Sequence, residues 1–397
     1  MHYNFDEIIP RASTNSVKYD LRKKIFGKED VIPMWVADMD FATPDFIVDA
    51  VRERAKHPVF GYSFRSDDYF RSIINWQKRN HNWVIEKEWV RFSPGIVPAL
   101  NFCVMAYTDP VDKIIVQPPV YFPFFSAIRN HGRVQVNNPL KLDKGRLNMD
   151  FDNLRKKAAE GAKMLFLCSP HNPGGSVWTQ KELAEMVNIC LDYNILIVSD
   201  EIHCDLLLPG YNHKPTATLS EAAADITITC IAPSKTFNLA GMATSSVIIS
   251  NKTLQEKFDT LMEQLHVGMG NLFGAVASEA AYAKGERWLE ELIAYIDGNV
   301  RFALDFFEKN IPGIKAIRPE ATYMLWLDCR KMEMDDEQLC KFFVEEAGVG
   351  MNKGESFGEG GEGFMRMNLA CPRKTIKRAL GRIKYAIDCH MNTARKK

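Results

Sequence analysis

Between residues 113 and 231, short β-branched apolar runs recur at 113–117, 133–136, 164–169, 195–199 and 226–231. Several show no polar alternation, the pattern of strands covered on both faces. Helical stretches separate them at 122–130, 152–160, 180–192 and 220–224. Strand–helix alternation of this kind predicts βαβ units and a mostly parallel sheet. Further strands are expected at 89–93 and 245–250, with helices over 66–82 and 100–107. Beyond residue 251 the periodicity becomes long and helical, through 274–284 and 288–310. A smaller α+β pattern follows, with strands at 315–317, 324–328 and 364–369 and helices at 335–346 and 373–391.

The first 45 residues carry Pro10, Pro33 and Pro44 and little periodicity, so they read as an extended arm. Trp35 and Phe41 in that arm are expected to pack on apolar surface. Thr43-Pro44-Asp45 reads as a helix start, with Pro44 at the first helical position. The glycine-rich stretch 354–363 contains three glutamates, which would repel phosphate. It reads as a loop that positions the next strand. The expected fold is therefore α/β, with a large domain at 46–285 whose mostly parallel sheet is flanked by helices. A small α+β domain would occupy 286–397, with the arm, 1–45, packed against it.

At 397 residues the chain exceeds one ordinary core, in keeping with two domains. Hydrophobic residues make up 46% and charged residues 25%, the globular norm. Lys+Arg 50 balances Asp+Glu 50, which gives no electrostatic reason for a nucleic-acid or anionic-membrane partner. The nine cysteines are scattered without a C-x-x-C pair, against a disulfide framework or a metal centre and in favour of a reducing cytoplasm. No basic region followed by an apolar core opens the chain, and no apolar run is long enough to span a bilayer. A cytoplasmic protein is expected.

In wound parallel sheets, ligands gather beyond the carboxyl ends of the strands. After the first strand comes Gly95-Ile96-Val97, whose free amides at a helix start suit a phosphate. Tyr121, beyond the second, can stack on a flat ring. Asn172, in Pro170-His171-Asn172-Pro173-Gly174-Gly175, can donate to a phenolate-type oxygen. Asp200 needs a cation if buried, and a protonated ring nitrogen would be one. Lys235 follows the 226–231 run among small and hydroxyl neighbours, where desolvation lowers an ammonium pKa as a Schiff-base lysine requires. Five strand ends thus offer a phosphate nest, a ring stacker, an oxygen donor, an acid and an amine, which are the needs of pyridoxal phosphate.

The motifs Ser169-Pro170-His171-Asn172-Pro173-Gly174-Gly175, Ser199-Asp200-Glu201 and Ser234-Lys235-Thr236-Phe237 resemble fold-type-I pyridoxal-phosphate enzymes, the aspartate-aminotransferase-like fold. Met34–Phe41, Asp200–Asp205, Ala232–Asn238 and Phe364–Pro372 resemble more closely the cystathionine β-lyase, or cysteine-S-conjugate β-lyase, subgroup of MalY and PatB. That resemblance implies β-elimination of amino-acid thioethers, with pyridoxal 5′-phosphate on Lys235 as a Schiff base. Asp200 would pair with the pyridinium nitrogen, and Asn172 and His203 would face the 3′ oxygen. Tyr121 would stack on the ring, while Gly95, Ile96, Val97 and Ser234 would hold the phosphate. Tyr62, counted with Lys235 and Asp200 as catalytic, would reach the neighbouring subunit's cofactor, making the active unit a homodimer with shared sites. Arg366 would bind the substrate carboxylate, with Ala37, Tyr121 and Asn172 beside it. Two functions of related proteins stand as alternatives: an aminotransferase on the same scaffold, and a regulatory binding protein of the MalY kind. Ala232 and Ala243 depart from the wider superfamily, which often places Ser and Arg there on the phosphate, and His203 stands where Tyr is frequent.

Overall fold

The computed structural model describes residues 3–394. Seven strands form one sheet in the order Val90–Ser93, Ser245–Ile249, Thr227–Ile231, Leu196–Asp200, Ala162–Cys168, Lys113–Val116, Val134–Asn137. Every pairing is parallel except those of Ser245–Ile249, which runs antiparallel to both neighbours. Successive side chains of a strand point to opposite faces. Met164, Phe166 and Cys168 accordingly join Val198, Ile228 and helix Ile96–Tyr107 in one apolar layer. Leu165, Leu167 and Ile197 join Leu154, Leu183 and Met186 of the helices Phe151–Ala159 and Gln180–Asp192 in the other. Both faces are dry, so the strands carry no alternation. Burying each such Leu or Ile contributes about 1.5–3 kcal/mol.

Capping explains the crossover helices. Thr179 and Glu182 form a reciprocal capping box at Gln180–Asp192, and Asp150 caps Phe151–Ala159. Side-chain caps of this kind satisfy amide donors that a helix start leaves unpaired.

A second, antiparallel sheet has the order Lys315–Ile317, Met324–Asp328, Phe364–Asn368, Asn352–Lys353. Trp326 stacks on Phe364 at 5.1 Å with 7° between the rings, closing a small core with Ile317 and Phe357. The arm reaches this unit: Ile32–Pro33 pairs in parallel with Val349–Gly350. Phe5, Met34, Met39 and Phe41 sink into a core shared with Trp288, Tyr323 and Met367. Trp35 is partly exposed, its ring edge-on to Phe26 at 5.5 Å and its indole N–H donating to Lys18 O.

Several expectations shift. The arm is not wholly extended, because Val17–Asp20 and Arg22–Phe26 are short helices. Pro44 caps helix Asp45–Lys56 from outside. The helix expected from residue 100 begins at Ile96, since Pro98 in its first turn forfeits an amide that had no partner anyway. The 335–346 helix is α-helical only over Asp336–Lys341 and continues as a π-turn over Phe342–Glu346. The 354–363 stretch is tightly folded, starting with the 3-10 turn Gly354–Phe357. A Cβ on Gly354 would collide with the Gly361 carbonyl, so only glycine permits that approach.

Candidate active site

The register sets Cys168 opposite Asp200 and Asp200 opposite Cys230, so neighbouring strands end side by side. Beyond these ends lies a cavity of about 220 Å³. Ala37, Gly95, Ile96, Val97, Tyr121, Asn172, Asp200, His203, Ser234 and Lys235 all line it. They come from the arm, a helix start and four strand-to-loop junctions.

Lys235 sits on the one-turn helix Pro233–Thr236, and its Nζ donates to Ala37 O at 2.7 Å. Burial, reinforced by the Arg366 charge, lowers its pKa to about 8. Asp200 is buried, and its carboxylate receives a hydrogen bond from Ile202 N at 3.1 Å. Burial raises its pKa to about 7, although the Ile202 amide and Lys235 pull the other way. Burial also lowers His203 to about 3, leaving a neutral imidazole whose Nδ1 has no partner.

Arg366 lies beside the cavity on strand Phe364–Asn368. Its Nη1 donates to Asn172 Oδ1 at 2.8 Å, and its Nη2 to Asn352 Oδ1 at 2.8 Å and Trp35 O at 3.1 Å. Its Nε is buried without a partner, and desolvation lowers the guanidinium pKa to about 10. The group thus keeps an unspent donor in a fixed fork. Tyr62 is elsewhere, 96% exposed on the surface.

The structure adds residues that sequence reasoning did not single out. Asn352 meets Arg366 because the two are cross-strand partners. Buried Tyr323 donates its hydroxyl to Ala37 O at 3.0 Å, fixing the carbonyl that accepts from Lys235. Thr244 lines the cavity, whereas Ala232 and Ala243 do not. Asn238 binds Met39 and Phe41 main-chain groups and ties the arm to the lysine loop. Asn352 and Tyr323 had no local signal: strand pairing brings Asn352 to Arg366, and Tyr323, just before strand Met324–Asp328, meets the arm from 286 residues away in sequence. Asn238 lay within a quoted motif but carried no role.

The donor set fits pyridoxal phosphate. The buried Asp200 carboxylate has no salt-bridge partner among the described residues, and a protonated ring nitrogen would answer that need. Orphaned His203 Nδ1 and Arg366 Nε offer polar contacts for a ligand. At the other end, the start of helix Ile96–Tyr107 presents first-turn amides without intrahelical acceptors. Lys235 stands among these groups with a depressed pKa.

Known proteins agree with this arrangement. The chain is 41% identical over 386 residues to cystathionine beta-lyase PatB of Bacillus subtilis (strain 168), covering 97% of this chain and 100% of PatB. A PLP-bound putative aminotransferase from Clostridium difficile 630 superposes with a TM-score of 0.95 at 42% identity, over 97% of this chain and 100% of that one. The PLP-bound C-S lyase from Staphylococcus hominis superposes at 0.92 and 37% identity, over 97% and 98%. Residues 29–383 match the family described as aminotransferase class I and II. By fold, cavity and sequence alike, the chain belongs to the aminotransferase class I and II family, with the aspartate-aminotransferase-like architecture.

Proposed function

We propose that the protein is a pyridoxal-phosphate-dependent carbon–sulfur β-lyase that cleaves amino-acid thioethers such as cystathionine to a thiol, pyruvate and ammonia. One observation carries the cofactor reading: Asp200, buried and without a salt bridge among the described residues, opens into the same cavity as half-buried Lys235. The similarity to PatB, named a cystathionine beta-lyase, and to a C-S lyase supports elimination over transamination.

When bound, pyridoxal phosphate supplies an electron sink conjugated to the substrate's Cα. The residues do the rest. Asp200, which lines the cavity, would hold a proton on the ring nitrogen of that group. Lys235, with its lowered pKa, is a base that can accept the Cα proton near neutral pH and pass a proton to the departing sulfur. Arg366 holds the α-carboxylate, with Asn172, Ala37 and Tyr121 beside it. Asn172 and neutral His203 would serve the 3′ oxygen, Tyr121 the ring face, and Gly95, Ile96, Val97 and Ser234 the phosphate.

A homodimer completes the reading. Tyr62 lies in a stretch where Phe60 and Phe64 are also exposed, apolar surface of the kind that marks an interface. Tyr62 would reach the partner's cofactor from there. Among the described residues no helix is long and apolar enough to cross a membrane. The eight cysteines other than Cys389 are at least partly buried and form no disulfide, which suits the cytoplasm. The separate seven- and four-stranded sheets support domain limits of 46–285 and 286–397.

Assaying the protein with cystathionine for pyruvate and free thiol tests the proposal. Both products are expected. Conversion of the cofactor to its pyridoxamine form, without thiol, would instead establish the aminotransferase. Replacing Arg366 by Lys should raise KM for the thioether about 10–100-fold with a smaller change in kcat, because a lysine cannot reproduce the forked contact. Steady-state kinetics check this, and an unchanged KM would remove Arg366 from substrate binding.

A further inference from the structure

Behind the cavity lies a buried carboxylate that no step above uses. Asp205 Oδ1 accepts from Trp76 Nε1 at 2.9 Å and lies 2.8 Å from His81 Nε2, while Oδ2 accepts from Thr236 Oγ1 at 2.8 Å. Trp76 and His81 belong to helix Asp67–His81. Thr236 is the residue after Lys235 and ends the same four-residue turn.

So short a helix cannot hold its own shape, because the first turn orders several residues for little hydrogen bonding. Its orientation must come from side-chain anchors. Phe237 supplies an apolar one, its ring 5.5 Å from Trp76 and 5.7 Å from Trp288. Apolar packing fixes depth but tolerates rotation. The Thr236–Asp205 bond is directional. Adjacent residues of a helical turn stand about 100° apart, so fixing the Thr236 side chain on the core side turns Lys235 toward the cavity.

We propose that Asp205 is a positioning residue for Lys235, acting through Thr236 to aim the reactive amine into the cavity. The inference rests on the reading of Lys235 as the cofactor lysine. A carboxylate suits the task because it is acceptor-only and takes three donors at once. An amide would turn its own N–H groups toward one of them. Although burial acts against ionisation, the His81, Trp76 and Thr236 contacts hold the Asp205 carboxyl below its ordinary value.

The test compares holoenzymes carrying Thr236→Val, which removes the hydroxyl at nearly constant shape, and Thr236→Ser, which keeps it. Thr236→Ala makes the same cut without a buried β-branch and is read in the same way should the valine variant fail to fold. Absorbance titration with pyridoxal phosphate reports Schiff-base formation, and kinetics separate kcat from KM. The expected result for Thr236→Val is about tenfold weaker Schiff-base formation and about tenfold lower kcat at unchanged KM, the cost of a misaimed group. Thr236→Ser should return both to within about twofold of wild type. A valine variant that titrates and turns over like wild type would overturn the inference while leaving the reading of Lys235 intact. So would a serine variant as impaired as the valine one, since the methyl would then be what matters. A wild-type protein that forms no Schiff base would overturn both.

Discussion

Lys235→Met should lower kcat for β-elimination by about 10⁴-fold or more, because one substitution removes both the covalent anchor and the base. The same variant should be more stable than wild type when both are free of cofactor. The folded state holds the Lys235 pKa at about 8 against 10.5 for an ordinary lysine. Between those values the unfolded chain binds a proton that the folded chain does not, so wild-type stability from this group rises with pH across that window. Below about 8 the folded protein carries the full cost of a desolvated ammonium, and the methionine variant carries none. Thermal melts of the cofactor-free proteins should therefore separate most at and below neutral pH and converge above pH 10.5. Retention of a tenth or more of the wild-type turnover would remove Lys235 from the chemistry.

Asp200→Asn should lower kcat by about 10³-fold, the scale for deleting one preorganised electrostatic partner. An amide cannot keep a ring nitrogen protonated. The stability effect again opposes the functional one, with the reverse pH sign. The folded Asp200 pKa is raised from 3.8 to about 7, so within that window the folded chain binds a proton the unfolded chain has lost. Its contribution to stability falls as pH rises through the window and stays low above it. The melting temperature of the cofactor-free Asp200→Asn protein should exceed that of wild type by a margin that opens between pH 3.8 and about pH 7. That margin is worth on the order of a few kcal/mol. A margin independent of pH would show that Asp200 is not an uncompensated buried acid. Together the two variants describe a site whose charges are costly without a ligand, and that cost favours binding a cofactor which supplies their partners.

Where both faces of a strand are dry, the sequence pattern locates it, as for 164–169, found at Ala162–Cys168. The site was legible for a related reason. Consecutive parallel strands place their ends at one edge, so Tyr121, Asn172, Asp200 and Lys235 could be brought together by chain order alone. Strand direction was not legible, because the apolar pattern of Ser245–Ile249 reads alike forwards and backwards. The hairpin of Lys141–Asp143 and Arg146–Asn148 escaped because its strands are short and half exposed. Asn352 and Tyr323 escaped because their neighbours are distant in sequence. Asp205 lay within a recognised motif, yet its task appears only once Trp76, His81 and Thr236 are seen to converge on it.

The most direct measurement is to saturate the protein with pyridoxal phosphate, reduce it with borohydride, digest it and find the modified residue by peptide mass. The mass of one reduced cofactor on Lys235 is the predicted result. The same mass on another lysine, or on none, would contradict the account.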